Sequence, residues 1–273
     1  MAEDSLSINT QTVGKSGEIV VFLPGLFGQG KNFTQIAKGI EPDFQSILVD
    51  LPNHGGSDWT EDFDYVSQAD LVAEHLRSTV ANDGPINLVG HSMGGKVAMV
   101  LALRHPELVR RLIVVDISPV KRESMEEFEH LLDSLAGLDL SELKSRGDAN
   151  KALLDPIPED MVRGFLLQSL ARTQDGFRWR VNLKLLRDSL PTIAGFPDIE
   201  DTAYDGPVLW VAGEKSDYIK DDYGPTMREL FPRAHLITIN NAGHWVHAEQ
   251  ADVFTNVVRG FLNRSEAHTS DED

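Results

Sequence analysis

Six short apolar runs, each bounded by turn-forming residues, constrain the fold of this chain more than any other feature of its sequence. They are rich in β-branched residues and do not alternate with polar ones, which is typical of strands buried on both faces of a parallel sheet. The runs are Ile19–Leu23, Ile47–Val49, Ile86–Val89, Leu112–Val115, Val208–Ala212 and His235–Ile239. Ser5–Val13 alternates more and is the expected antiparallel edge strand.

Segments with helical spacing separate most of these runs. Ser67 is the expected N-cap of the second segment, and Pro106 ends the third. The segments are Phe33–Ile40, Ser67–Ala81, Gly94–Arg104, Tyr223–Phe231 and Ala251–Leu262. Strands and helices that alternate in this way predict an α/β class protein with a doubly wound, mostly parallel sheet.

The alternation breaks once, between residues 120 and 204, where we find only helical patterns and no convincing strand. These patterns are Met125–Leu135, Leu140–Leu153, Glu159–Arg172 and Phe177–Leu190. They predict a helical cap, inserted over the carboxyl edge of the sheet, where open α/β sheets bind ligands. The predicted organisation is a core of residues 1–119 and 205–263, a cap of residues 120–204, and a flexible acidic tail of residues 264–273.

A serine lies where a predicted strand meets a predicted helix, in the pentapeptide Gly90-His91-Ser92-Met93-Gly94 (G-x-S-x-G). Such a turn strains the serine backbone, lifts its Oγ above the sheet and puts the next amide at a helix N-terminus. We therefore predict Ser92 as a nucleophile and Met93 N–H as an oxyanion donor. A structural or phosphate-binding glycine turn is the alternative.

A serine nucleophile needs a histidine base, and several histidines are candidates. In the α/β-hydrolase fold, for which this turn is typical, the order along the chain is serine, acid, histidine. His244 follows the last predicted strand and is the expected base. A zinc site of His244 and His247 is the rival interpretation. His91 is expected to pack rather than to catalyse, and His54 is expected to stabilise its loop.

The acid that orients the base is open between two residues. In the loop after Val208–Ala212, the third residue past Gly213 is Ser216, not an acid, and Asp217 follows it. Asp116 closes the apolar strand Leu112–Val115. We favour Asp116, because the carboxylate must be buried beside histidine Nδ1–H. The alternative is that Asp116 only caps a turn. Leu26, in the glycine-flanked loop Pro24–Gly28, is the candidate for the second oxyanion amide.

Three segments together resemble one subfamily of the α/β-hydrolases, the small bacterial esterases and their mitochondrial esterase and thioesterase relatives. They are Gly90–Lys96, Val115–Pro119 and Phe177–Leu183, and the resemblance covers roughly residues 17–263. It implies a fold with the helical cap after strand six, which is Leu112–Val115 here. It also implies a triad of Ser92, Asp116 and His244.

The resemblance bears on two further positions. A serine after strand seven, here Ser216, is typical of the subfamily as an accessory partner of the histidine. The family often begins its oxyanion loop with His-Gly, whereas this chain has Pro24-Gly25. A proline has no N–H to donate, so any hydrogen-bond network anchored on that histidine is in doubt, while the Leu26 amide is unaffected.

The cap supplies candidate substrate contacts. Phe177 and Trp179 could line an acyl pocket, although aromatic residues at helical spacing are more often core. Phe27, His91 and Trp245, next to the predicted catalytic residues, are further candidates. Between residues 172 and 187 the chain has five basic residues and one acid, Asp175, and Arg178 and Arg180 are central to them. This cluster either steers an anionic substrate or forms a solvated helix face.

Composition narrows the remaining possibilities. The formal charge is −18, with 43 acidic against 25 basic residues, which disfavours nucleic acid and anionic membranes as partners. There is no cysteine, so disulfides, thiolate metal sites and a cysteine nucleophile are excluded. The acidic N-terminus does not read as a signal peptide, and a cytoplasmic protein is expected. No cofactor and no metal are expected, and the oligomeric state stays open.

The predicted function is hydrolysis of a small-molecule carboxylic ester or acyl thioester through an acyl-enzyme. Acyl transfer to an alcohol uses the same residues, and a cofactor-free haloperoxidase shares the triad. A non-catalytic protein that binds a ligand in a hydrolase fold is the alternative from another class, because a fold alone does not establish chemistry.

Overall fold

The computed structural model of the protein describes residues 6–82, 84–199 and 202–264. Residues 1–5, and the predicted acidic tail apart from Arg264, lie outside the described residues. Seven strands form one sheet in the order β1-β3-β2-β4-β5-β8-β9. They are β1 (Thr10–Val13), β2 (Glu18–Leu23), β3 (Phe44–Val49), β4 (Ile86–His91), β5 (Val109–Val115), β8 (Val208–Gly213) and β9 (Ala234–Ile239). All neighbours are parallel except β1 and β3.

Helices cover both faces of this sheet. They are α1 (Thr34–Gly39), α2 (Tyr65–Thr79), α3 (Met93–Arg104), α9 (Gly224–Leu230), α10 (Val246–Glu249) and α11 (Ala251–Leu262). Alternate strand residues enter two separate cores: Val21 and Leu23 pack with α2 and α3, whereas Val20 and Phe22 pack with α1 and α11. This burial on both faces explains why the strands read as continuous apolar runs. The α/β fold class and all six predicted parallel strands are confirmed.

The segment between β5 and β8 contains the helices α4 (Glu126–Ala136), α5 (Arg146–Ala152), α6 (Asp160–Leu166), α7 (Leu183–Asp188) and α8 (Leu190–Ala194). It also contains a two-stranded antiparallel hairpin, β6 (Leu170–Thr173) and β7 (Gly176–Trp179). The prediction that this segment has no strand is therefore wrong. The helical pattern predicted over Glu159–Arg172 overlaps β6 at its end, and the pattern predicted over Phe177–Leu190 overlaps β7 at its start. Gly176, with a φ of 131°, permits the tight turn that joins them.

Two smaller predictions also need correction. The N-cap of α2 is Asp64, whose side chain accepts the Ser67 N–H, so Ser67 lies inside the helix rather than at its cap. The edge strand β1 is shorter than the predicted Ser5–Val13, and the start of that range lies outside the described residues. It pairs antiparallel with β3, as expected for an edge strand.

Candidate active site

Ser92 lies at the turn between β4 and α3, with a φ of 53° and a ψ of −122°. A non-glycine residue in this region costs of order 1–3 kcal/mol, which the surrounding contacts must offset. Two glycines let the strand and helix approach: a Cβ on Gly90 would lie 2.4 Å from Gly94 O, and one on Gly94 would lie 2.3 Å from Pro24 O. Ser92 N–H donates to Val115 O at 3.0 Å, which ties the turn to β5.

The structure brings Ser92, His244 and Asp116 into one hydrogen-bonded line. Ser92 Oγ is 2.9 Å from His244 Nε2, and His244 Nδ1 is 2.8 Å from Asp116 Oδ2. An ionised carboxylate can only accept, so the His244 proton sits on Nδ1 and Nε2 is free to accept the serine hydroxyl. His244 comes from the loop after β9 and Asp116 from the end of β5, and the Asp116 side chain is only 1% exposed.

Asp116 is held from several sides. Its own backbone has a φ of 50°, and its N–H donates to Val211 O at 2.9 Å. Gly213 N–H donates to Oδ1 at 2.9 Å, and the Ser216 hydroxyl donates to Oδ2. Asp217, the alternative acid, lies elsewhere: its exposed carboxylate pairs with Arg122. The carboxylate in contact with His244 is thus the one at the end of β5.

A stack of two side chains that the sequence analysis did not identify covers one face of His244. The Tyr218 ring lies 3.9 Å from the imidazole with 17° between their planes, and the Arg122 guanidinium lies 3.7 Å from the Tyr218 ring centroid. Burial raises the pKa of the Tyr218 hydroxyl well above its usual range. The two residues are far apart in the chain and belong to no motif, so no sequence signal pointed to them.

Two free backbone amides flank Ser92. Within the described part of the chain, neither Leu26 N–H nor Met93 N–H donates to another residue. Both residues line the cavity that contains Ser92. The next residue, Phe27, has a φ of 66°, and Gly28 N–H closes the turn onto Gly25 O at 2.9 Å. These amides are available to an oxygen that gains negative charge next to Ser92.

Two further histidines lie behind His244. His91 Nε2 donates to His244 O at 2.8 Å, and the His91 and His247 rings meet edge to face at 4.6 Å. Burial, followed by the neighbouring histidines, holds the His91 pKa well below its usual range, and burial lowers that of His247 to about 3. The His247 ring stacks on Phe33, which belongs to the core that Val20 and Phe22 form with α1 and α11. His91 is therefore packed among these rings and also contacts the loop of the base.

Lys96 joins the cap to the helix that begins after Ser92. Its side chain is almost fully buried, and its Nζ, with three N–H groups to donate, lies within hydrogen-bonding distance of four carbonyl oxygens, those of Val120, Ile193, Ala194 and Gly195, at 2.5–3.3 Å. These carbonyls belong to the first and last parts of the insertion. Burial, with a smaller effect of Arg122, lowers the Lys96 pKa to about 7. Lys96 was part of the recognised motif, but only the structure gives it these partners.

The cavity next to Ser92 lies between the sheet and the cap and is small, about 20 Å³. That is room for about one water molecule. Its walls are mostly apolar, and the two basic side chains of Lys96 and Arg122 also reach it. The lining residues are Leu26, Tyr65, Ser92, Met93, Lys96, Ile117, Arg122, Met125, Phe128, Ile193, Ala194 and Tyr218.

None of the predicted substrate contacts is among the described residues that line this cavity. Phe27 stacks on Phe128 at 6.3 Å, and Trp245 lies edge to face with His244 at 5.8 Å. Phe177 and Trp179 are half-buried on β7, outside the described lining of the cavity. Arg178 and Arg180 are exposed in and just after the same strand. Of the other basic residues, Lys184 pairs with Asp188, and Arg187 pairs with Glu129 and Asp133.

The described residues contain no cluster of three or more histidine, aspartate or glutamate side chains that could hold a metal ion. Over the same ranges of the chain, none of the helices has the length and apolar character needed to span a bilayer.

Comparison with known proteins gives consistent matches. The family described as alpha/beta hydrolase fold matches residues 18–251. The sn-1-specific diacylglycerol lipase ABHD11 of Mus musculus is 37% identical over 251 residues, covering 89% of this chain and 80% of that protein. Esterase YbfF of Escherichia coli (strain K12) is 31% identical over 260 residues, covering 94% and 99%. The structure of a marine microorganism esterase matches with a TM-score of 0.91 at 36% identity, covering 94% and 100%.

Proposed function

The chain belongs to the α/β-hydrolase family and is an esterase-type hydrolase, and we propose that it cleaves carboxylic esters and acyl thioesters through an acyl-enzyme on Ser92. One observation carries the proposal: Ser92 Oγ, His244 and Asp116 are joined by hydrogen bonds of 2.9 and 2.8 Å, beside the amides of Leu26 and Met93, which donate to no other residue among those described. This is the arrangement that acyl transfer to a serine requires.

In the proposed acylation step, Ser92 Oγ attacks the substrate carbonyl carbon while its proton passes to His244 Nε2. Asp116 keeps the Nδ1–H tautomer in place and stabilises the imidazolium that forms. The carbonyl oxygen becomes an oxyanion and takes hydrogen bonds from Leu26 N–H and Met93 N–H. The bond to the leaving group then breaks, and His244 returns the proton to the departing alcohol or thiol.

Deacylation repeats these steps with water. The water oxygen attacks the acyl carbon while His244 Nε2 takes a proton from that water. The same two amides hold the second oxyanion. Ser92 Oγ leaves and recovers the proton from His244, which restores the starting state. Tyr218 stacked on one face of the imidazole, and Phe128 edge-on at 6.5 Å, restrict the ring to the plane that both steps need.

The proposal is tested by labelling. Wild type, Ser92→Ala and the remote control Ser78→Ala, on the exposed face of α2, are treated with excess fluorophosphonate and weighed intact. We expect one label on wild type and on Ser78→Ala and none on Ser92→Ala. Hydrolysis of p-nitrophenyl butyrate should fall by at least about 10⁴-fold in Ser92→Ala only. Labelling of Ser92→Ala, or the absence of labelling and turnover in wild type, would overturn the proposal.

The hydrolysis assay also tests whether the protein accepts an alcohol, a thiol or both as the leaving group. Butyryl esters of an alcohol and of a thiol share the acyl-enzyme, so the proposal predicts an equal deacylation rate for both. Turnover of the thioester at less than about 1% of the ester rate would restrict the activity to oxygen esters. Product analysis in 1 M ethanol separates hydrolysis from transfer to an alcohol, because transfer yields ethyl butyrate.

A further inference from the structure

We propose that His54 is a positioning residue for the oxyanion hole, because its imidazole accepts the N–H of Phe27 and so holds the loop that presents Leu26 N–H. The inference rests on the proposed function, since it assumes that Leu26 N–H binds the oxyanion. His54 is not one of the hydrogen-bonded residues Ser92, His244 and Asp116.

The loop that carries Leu26 needs external support. Phe27 has a φ of 66°, a left-handed conformation that is strained for a non-glycine residue. The loop begins at Pro24, which has no N–H with which to anchor itself. Within the described residues, the polar side chain that meets the Phe27 amide is that of His54, with Nε2 3.3 Å from the amide nitrogen.

The hydrogen bonds of His54 determine which of its nitrogens carries the proton. Nδ1 lies 3.0 Å from Pro52 O, and a carbonyl oxygen can only accept. Nδ1 therefore holds the hydrogen and Nε2 presents a lone pair, which is what the Phe27 amide needs. His54 is only 1% exposed, and this burial lowers its pKa to about 4, so the ring stays neutral at the pH at which esterases are assayed.

The loop of His54 is itself fixed by a buried carboxylate. Asp50 accepts hydrogen bonds from Gly30 N–H at 2.7 Å, Gly56 N–H at 2.9 Å and the Asn9 amide at 2.8 Å. Gly55, with a φ of 61°, passes so close that a Cβ there would lie 2.1 Å from Asp50 Oδ2. The imidazole is thus attached to the end of β3 rather than to a mobile loop.

The same loop contacts the cap. The backbone of His54 pairs with Val181, and Asn182 donates through its N–H to Asn53 O at 2.9 Å and through its amide to Asn53 Oδ1 at 3.1 Å. Val181 and Asn182 follow the cap hairpin, separated from its end at Trp179 by one residue. The loop of His54 is therefore joined to the cap through its backbone and to the amide next to Leu26 through the imidazole.

Two substitutions test the role of the acceptor. His54→Phe keeps a ring but removes the lone pair, whereas His54→Gln keeps an oxygen that can accept the Phe27 N–H. We expect His54→Phe to lower kcat for p-nitrophenyl butyrate by about 10- to 100-fold, because a displaced oxyanion donor loses part of the roughly 10²- to 10³-fold effect of a donor. KM should stay within about threefold, and His54→Gln should recover most of kcat.

A transition-state analogue supplies a readout that a merely structural role would not move. A trifluoromethyl ketone adds to Ser92 and places an oxyanion in the hole, so its Ki should rise in His54→Phe by the same factor as kcat falls. A methyl ketone of the same chain, which does not add, should bind equally to both proteins. Wild-type values for His54→Phe, or equal losses in His54→Phe and His54→Gln, would overturn the inference.

Failure of the proposed function gives a different result, because wild type itself would then neither hydrolyse the ester nor bind the trifluoromethyl ketone more tightly than the methyl ketone. If His54→Phe does not fold, the imidazole ¹⁵N chemical shifts of His54 in the wild type test the inference, because they identify the nitrogen that carries the proton. They should report the Nδ1–H tautomer at pH 7. An Nε2–H tautomer, which cannot accept from Phe27, would overturn the inference without any variant.

Discussion

The Ser216 hydroxyl donates to Oδ2 of Asp116, the carboxylate oxygen that also contacts His244 Nδ1. Ser216 stands in the loop after β8, where the sequence lacks the acid that this loop commonly supplies. The carboxylate comes instead from the end of β5, and the serine of the β8 loop completes its hydrogen bonds. The end of β5 thus supplies the charged carboxylate, and the loop after β8 supplies the neutral hydroxyl that donates to it.

Replacing Asp116 with Asn should separate the two candidate acids. The amide cannot hold the Nδ1–H tautomer, so we expect kcat to fall by about 10³- to 10⁴-fold with little change in KM. Asp217→Asn, which alters a surface carboxylate of the same type, should stay within about threefold of wild type. Steady-state kinetics on p-nitrophenyl butyrate measure both. A larger loss in Asp217→Asn than in Asp116→Asn would contradict this assignment.

The buried histidines should make the fold sensitive to acid. The pKa of His54 is lowered to about 4 and that of His247 to about 3, against about 6.5 in an unfolded chain. Between pH 6.5 and 4 the unfolded chain therefore binds more protons, and the free energy of unfolding falls as the pH falls. From the lowered pKa, His54 contributes about 3 kcal/mol of this loss.

Urea unfolding of wild type and His54→Gln at several pH values between 7 and 4 measures that contribution. The variant cannot titrate at this position and should lose about 3 kcal/mol less over the interval. His235→Gln, which removes an exposed histidine from the edge strand β9, is the matched control for the loss of a histidine. Equal slopes for wild type and His54→Gln would show that His54 does not stay neutral in the folded protein.

The small cavity predicts a preference for short acyl groups. A cavity of about 20 Å³ must widen to admit any acyl group, and a longer chain requires a larger movement of the cap. We expect kcat/KM for p-nitrophenyl esters to fall by at least about tenfold from butyrate to laurate. Phe128→Ala, which removes a wall of the cavity, should relieve that fall, whereas Phe165→Ala, outside the described lining, should not. Equal rates for butyrate and laurate in wild type would mean that the cap opens readily.

The exposed arginines of the cap hairpin predict an effect on anionic substrates. If they steer the substrate, Arg178→Ala with Arg180→Ala should raise KM about three- to tenfold for a carboxylated ester and leave a neutral ester unchanged. The effect should shrink in 0.5 M salt, where exposed charges are screened. Lys15→Ala with Lys38→Ala removes the same charge elsewhere and is the control. An unchanged KM for both esters would end the steering hypothesis.

Much of the fold was predictable because local features specify it. The apolar runs mark strands buried on both faces, and a helix after the Ser92 turn follows from the spacing of Val97, Leu101 and their neighbours. The hairpin β6–β7 was not predictable in this way. Its strands have four residues each, too short for a periodicity to stand out, although Phe177 and Trp179, two residues apart, fit the alternation of a strand. Pairing between the two strands, rather than the pattern within either, decides their conformation.

The sequence by itself determined the kind of site: a serine on a strained turn, a histidine after the last strand, and acids at the ends of two strands. The tertiary structure decided which groups meet, because hydrogen bonds between β5, β8 and β9 bring Asp116 together with Ser216 and His244, which lie 100 and 128 residues farther along the chain. It also supplied the stack of Arg122 on Tyr218 and the imidazole of His54 beneath the oxyanion loop. Contacts of this kind leave no periodicity and no motif in the chain, since they depend on the distance between side chains in space and not on their spacing in sequence.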